Sequence, residues 1–175
     1  MSQRSERHTV RGILAGAIGG LVAAWVMNEF MAGPGKQLSK AVQTPEENQA
    51  QAQHSDEPDA TMKTADAIVQ QVTGGRHLTY EQKQAGGPMV HYGFGALAGA
   101  LYGGVAEYSA LARSGFGTTF GSVLFAGADL LAVPAFHLAA PLSETPKETL
   151  ATPFAAHLVY GATTELVRRV LRKVF

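Results

Sequence analysis

Apolar positions are distributed unevenly along the 175 residues: most of 10–32, 87–112 and 114–141 is apolar or small, whereas 33–86 is polar. The first apolar stretch, Val10 to Ala32, carries no charge between Arg11 and Glu29. At about 1.5 Å per helical residue it is long enough to cross a hydrocarbon core of roughly 30 Å. The second follows Gly86-Gly87-Pro88 and runs to about Leu111, and the third runs from Gly115 to about Leu138 and stops at Pro141. A fourth, weaker stretch from Thr149 to about Leu171 contains Pro153, His157 and Glu165. The pattern predicts an all-α integral membrane protein: one membrane domain over 1–175, with spans at about 10–32, 87–111, 115–138 and 149–171. A soluble four-helix bundle is the rival, but it needs a polar outer face on every helix, and Gly12–Asn28 and Phe116–Ala128 have none. A cleaved signal peptide is the alternative for the first stretch, since Arg4, Arg7 and Arg11 precede it, but Met31-Ala32-Gly33 makes a poor cleavage site.

Charge placement predicts the orientation. Arg4, Arg7, Arg11, Arg113, Arg168, Arg169, Arg172 and Lys173 fall on one side of the four spans. Lys36, Lys40, Lys63, Arg76, Lys83 and Lys147 fall on the other, diluted by acids. By the positive-inside rule both termini are cytoplasmic and the 33–86 insertion is periplasmic, in a bacterial inner membrane. Short helices are expected within the insertion. Thr44-Pro45-Glu46-Glu47 combines a cap, a first-turn proline and a capping-box glutamate, and Thr145-Pro146-Lys147-Glu148 repeats the device. Met62, Ala65, Ile68, Val69 and Val72 have helical spacing that Gly74-Gly75 can end, giving a helix that lies on the membrane or covers the bundle mouth. The Gln-rich piece Asn48–His54 is expected to be solvated and mobile.

Glycine spacing is the clearest motif. Gly12, Gly16 and Gly20, then Gly95, Gly99 and Gly103, then Gly117 and Gly121 recur every four residues. Such ladders let helix backbones approach closely where lipid removes the hydrophobic drive, within one chain or between copies. Tyr102-Gly103-x-x-x-Glu107 and Tyr160-Gly161-x-x-x-Glu165 are spelled alike and suggest duplication of a hairpin.

Ionisable groups inside spans are costly and face the bundle or water. Glu107 and Glu165 fall toward the cytoplasmic side and pair most simply with neighbouring arginines: Glu165 with Arg168 or Arg169, and Glu107 with Arg113 or Arg11. Asp129 lies near the middle of span three, where Pro134 frees the carbonyl of Leu130. His91, His137, His157 and Glu29 fall toward the outer side. The histidines are expected to bond one another, Tyr92 or backbone. In the functional reading, acid charges all three, and mutual repulsion opens that end. They and Glu29 are also candidates for a metal or haem, at spacings that match no ligand motif.

Other chemistry is scarce. Fourteen basic residues balance fourteen acidic ones, and there is no cysteine, which excludes a disulfide scaffold, a thiolate zinc site and a cysteine nucleophile. No phosphate loop, nucleophile elbow or basic aromatic stripe occurs, so nucleic acid is not an expected partner. Gly93-Phe94-Gly95 lacks the preceding strand that a dinucleotide fingerprint needs.

His157-Leu158-Val159-Tyr160-Gly161, followed by Thr164-Glu165-Leu166-Val167-Arg168-Arg169, resembles the end of the YagU-like family of small bacterial inner-membrane proteins. The glycine-rich spans and the length are also similar, whereas the 33–86 insertion departs from that pattern. The resemblance implies an inner-membrane location and a link to acid tolerance, and it assigns no catalytic residue. The expected function is therefore a non-enzymatic membrane role in stress or proton homeostasis with no assigned cofactor. The bilayer is the first partner, and a homo-oligomer is a second. The alternatives are an accessory subunit, whose glycine faces pack on a larger complex, and a redox or metal-carrying protein built on the histidines.

Overall fold

The computed structural model describes residues 3–53, 57–139, 143 and 145–174, and among these the regular structure is entirely helical. Helix α1 spans Gln3–Ala32 and is followed by α2 (Pro34–Val42), α3 (Pro45–Gln53), α4 (Ala60–Thr73) and α5 (Tyr80–Ala106). A 3-10 turn, Ser114–Gly117, leads into α6 (Thr118–Phe125), which widens to π geometry over Ala126–Ala132 before the short α7 (Val133–Ala135). Helix α8 (Ala151–Val174) closes the fold, entered through a 3-10 turn over Lys147–Leu150.

Local signals explain most boundaries. The Thr44 box forms as spelled: the Thr44 N–H donates to Glu47 Oε2 (2.7 Å), and the Glu47 N–H donates to Thr44 Oγ1 (3.2 Å). The Gln-rich segment that follows is helical through Gln53, and His54 lies outside the described residues. The similar Thr145 spelling does not repeat the device. There Pro146 takes the cap position without a side-chain cap, and Thr149 Oγ1 donates to its carbonyl (2.6 Å). Asp59 caps α4, and left-handed Gly74 (φ 74°) ends it, with the Gly75 N–H reaching the Gln70 carbonyl. Helix α5 starts earlier than Gly86, at Tyr80, because Thr79 and Gln82 form a reciprocal capping box. Pro88 is therefore carried inside the helix.

Four helices make the bundle. Helix α1 packs against both α5 and α8, and α8 also packs against α6. Gly12 lies against Gly103 and Gly20 against Gly95, so α1 and α5 are antiparallel. Gly117 against Gly161 and Gly121 against His157 give the same antiparallel relation for α6 and α8. One end of the bundle thus gathers the start of α1, the end of α5, the start of α6 and the end of α8. Each antiparallel pair carries one Tyr-Gly-x-x-x-Glu copy on its second helix, as a duplicated hairpin would.

The glycine contacts are as close as backbones come. A Cβ built on Gly99 would sit 2.8 Å from the Gly20 Cα and 2.9 Å from its nitrogen. All eight ladder glycines are buried and used within the chain. Burial is inverted relative to a water-soluble core. The buried set is dominated by alanine and glycine, and the largest fully buried side chains are Glu165 and Thr164. The large apolar side chains point outward, among them Ile13, Leu14, Ile18 and Trp25 on α1 and Phe94, Leu97, Leu101 and Val105 on α5.

Two of the four apolar stretches are long and apolar enough to cross a membrane by themselves, His8–Ala32 and Ser114–Ala135, with mean hydropathies of 1.7 and 1.5. Glycine, His91, Tyr92 and Tyr102 dilute the apolar part of α5, and the charged residues of its last three turns dilute α8.

Helix α4 rests on the first turns of α5, with Met62 against Gly87 and Ala65 against Gly86. Ile68 and Val72 stay exposed. The pairing is tied by Asp66, which accepts from the Leu78 N–H (2.6 Å) and the Lys83 ammonium (2.9 Å), with His77 Nδ1 at 3.1 Å. The Leu78 amide first and Lys83 second hold this carboxyl well below its ordinary 3.8, against the opposing effect of burial. A depressed carboxyl contributes its full stability above 3.8, and that contribution is lost as pH falls through the lowered value. Hydrogen exchange should therefore show α4 protected at pH 5 and loosened below about pH 3, once intrinsic rates are removed. Asp66→Asn should be loose at both. An unchanged α4 in that variant would show that the apolar contacts alone hold it.

Candidate functional site

Two polar clusters lie inside the bundle, one at each end. At the end shared by the α1 and α8 termini, Glu165 is fully buried and accepts from four directions. Tyr102 donates its hydroxyl to Oε2 at 2.7 Å. Arg168 grips both oxygens, through Nε at 2.7 Å and Nη2 at 3.0 Å, and Arg169 Nε reaches Oε1 at 2.6 Å. Glu107 accepts from Arg168 Nη1 at 3.2 Å and from Arg172 Nε and Nη2 at 2.9 and 3.0 Å. Arg172 also lies 3.2 Å from His8 Nδ1 on α1, while Arg169 lies 4.5 Å over the Phe116 ring. Charge-assisted bonds of this density satisfy charges that apolar surroundings would otherwise penalise. They bind α1, α5 and α8 into one closed end.

Glu165 takes both of the arginines its helical spacing offered. Glu107 does not pair with Arg113 or Arg11 but with Arg168 and Arg172. The reason is that α5 and α8 run parallel, so their C-terminal turns lie side by side. The sequence repeat is also staggered in space: Tyr102 of the first copy reaches Glu165 of the second, while Tyr160 donates to the Gly95 carbonyl at 2.6 Å. A Cβ on Gly12 would meet the Glu107 side chain at 2.5 Å, so that glycine makes room for the carboxylate as well as for a helix.

At the opposite end a cavity of about 530 Å³ opens among α1, α4, α5, the π segment and α8. Its walls are mostly apolar, with Met27, Val90, Phe94 and Leu124 prominent. Its polar groups are His91, Asp129, His157 and Tyr160, and the α4 residues Thr61 and Thr64 lie at the rim. His91 Nε2 bonds the Ala24 carbonyl (3.2 Å), and its ring meets Tyr92 edge-on. His157 Nδ1 bonds the Pro153 carbonyl (2.9 Å) and lies 3.7 Å from Asp129 Oδ2. Both histidines therefore have the backbone partners expected of them. The Asp129–His157 approach was not legible, because it depends on which faces of α6 and α8 meet. The π widening precedes Pro134, which cannot donate a helical bond, and such widened turns cluster at functional sites.

The remaining outer candidates stay apart from this cavity. His137 is exposed, in a left-handed turn (φ 58°) past the end of α7, and Glu29 is exposed near the end of α1. Among the described residues no three His, Asp or Glu side chains converge as metal ligands. Glu29, His91, His137 and His157 therefore form no ligand set, and the proposed repulsion among three charged imidazoles loses its third member.

Residues 38–166, about three quarters of the chain, match the family described as "Protein of unknown function (DUF1440)". The chain belongs to the DUF1440 family. The matched segment contains Glu107, Asp129, His157 and Glu165, whereas the first glycine ladder precedes it and Arg168 and Arg172 follow it. No curated protein and no solved structure matches the chain.

Proposed function

We propose that this DUF1440 protein is a YagU-like protein of the bacterial inner membrane. In this reading it crosses four times through α1, α5, α6–α7 and α8, keeps both termini in the cytoplasm, and acts without catalysis in acid or stress tolerance. The observation that carries the membrane reading is the inverted burial: small residues inside, large apolar residues outside. It extends to α5, whose exposed positions between Met89 and Val105 are all apolar or glycine. A reporter active only in the cytoplasm should work when fused after Phe175 and fail at Gln51. Activity at Gln51 would overturn the orientation.

The acid-tolerance reading rests on the outer cavity. Asp129 is the one acidic group in its lining, and the positions on α1 and α4 that face it carry no charge. With His137 outside the cavity and a carboxylate 3.7 Å from His157, acid draws His157 toward Asp129 instead of driving the helices apart. Hydrogen-exchange protection of 126–135 and 151–160, corrected for intrinsic rates, should rise roughly two- to fivefold between pH 7 and 5, the value of a partly exposed ion pair of about 0.5–1 kcal/mol. His157→Gln should abolish the rise. If variant and parent respond identically, the pH role fails and a purely structural membrane subunit becomes the better account.

A further inference from the structure

The closed end of the bundle has a feature its internal pairing does not use. A second cavity of about 530 Å³ opens there, walled by Arg113, Arg168, Arg169, Arg172 and Lys173, with Glu107 as its only acid. Behind that wall Glu165 neutralises a second charge, and among the described residues the site keeps a surplus of three positive charges. Arg113 and Lys173 are exposed and, among the described residues, pair with no acid. Arg169 spends one donor on Glu165 and keeps its side chain 46% exposed. The remaining wall is apolar: Phe116, Leu166 and Val170 are each about half exposed. A cationic recess bordered by outward apolar side chains matches one kind of ligand, a phosphate ester carrying hydrocarbon.

We propose that this recess binds the phosphate of an anionic phospholipid headgroup from the cytoplasmic leaflet, with an acyl chain along Leu166 and Val170. The inference rests on the membrane reading above, which supplies the lipid. Basic recesses between helices at the cytoplasmic face suit such headgroups, and arginine forks match phosphate oxygens. The Glu165 and Glu107 pairs hold Arg168 and Arg172 in place before the ligand arrives. The Arg113 and Lys173 side chains, which among the described residues pair with no acid, are the groups that gain a partner on binding.

The test uses the full chain in a neutral detergent, with thermal unfolding as the readout. Phosphatidylglycerol should raise the midpoint in a saturable way, and phosphatidylcholine should not. Arg113→Gln combined with Lys173→Gln should melt like the parent without lipid and need roughly 10- to 30-fold more phosphatidylglycerol, from about 1 kcal/mol of attraction per cation. Inorganic phosphate is the third arm. Equal stabilisation by phosphate alone would keep the anion site and assign it to a free ion, whereas no effect of phosphate supports the lipid. Indifference to both phosphatidylglycerol and phosphate, or an unaltered response in the double variant, overturns the site. An alkaline wash of membranes separates the two layers of the claim. A chain that resists the wash yet ignores the lipid refutes the site alone, and a chain that washes off refutes the membrane reading.

Discussion

Glu165→Leu is expected to destabilise the fold by about 3–5 kcal/mol, because it leaves Arg168 buried without its carboxylate. Arg168 is 5% exposed, and two of its three bonds end on Glu165. Tyr102, buried on α5, loses its acceptor in the same stroke. In detergent the thermal midpoint should fall by roughly 10 °C for a chain of this size. The informative comparison is Glu165→Leu with Arg168→Met. Removing both members of a buried pair is far milder than removing one, so the double variant should recover most of the loss. Glu107 retains Arg172 in either case. If the double variant is as unstable as the single one, the carboxylate acts through packing and not through charge. If Glu165→Leu melts like the parent, the closed end does not hold the bundle together.

What could be read from the residue order divides along a physical line. Features set by neighbours within a helix were legible: the Thr44 box, the Gly74 stop, the Glu165–Arg168–Arg169 turn and the ladders themselves. Features set by how helices face one another were not. Glu107 has no arginine at helical spacing on its own helix, and its partners lie 61 and 65 residues away. The meeting of Asp129 with His157 likewise needed the relative rotation of α6 and α8. The start of α5 is a different kind of miss. Thr79-x-x-Gln82 is a capping box in plain view, but Gly86-Gly87-Pro88 is the louder signal and reads as a break. Pro88 is tolerated within α5, where Gly87, buried under Met62, lets α4 lie close.

The glycine ladders also decide between packing within the chain and packing between copies. Because Gly12, Gly16 and Gly20 face Gly95, Gly99 and Gly103 inside one molecule, an accessory subunit would meet a larger complex through surfaces other than these two ladders. Any assembly of copies would use the large apolar side chains instead, and the ladders would leave its size unchanged.

Gly99→Leu should therefore prevent the α1–α5 contact from forming, and even Gly99→Ala should cost about 1–3 kcal/mol. A single added methyl at this position lands 2.8 Å from the Gly20 Cα, with the Gly16 carbonyl oxygen closer still. No side chain is there to swing away, so two backbones must separate, and the contacts at Gly95 and Gly103 loosen with them. Gly93 provides the internal control. It lies on the same helix, is exposed, and has nothing within 4 Å of where a Cβ would stand. Gly93→Ala should melt at or slightly above the parent, since alanine is the better helix former by about 1 kcal/mol. Thermal unfolding in detergent should then rank the variants Gly93→Ala, parent, Gly99→Ala, Gly99→Leu from most to least stable. Light scattering should give Gly99→Ala the parent's particle mass while it remains folded, because the contact it damages lies within one chain. A lower mass with an unchanged midpoint would move the ladder to an interface between copies, and a Gly99→Leu midpoint equal to the parent's would remove close backbone contact as the basis of the bundle.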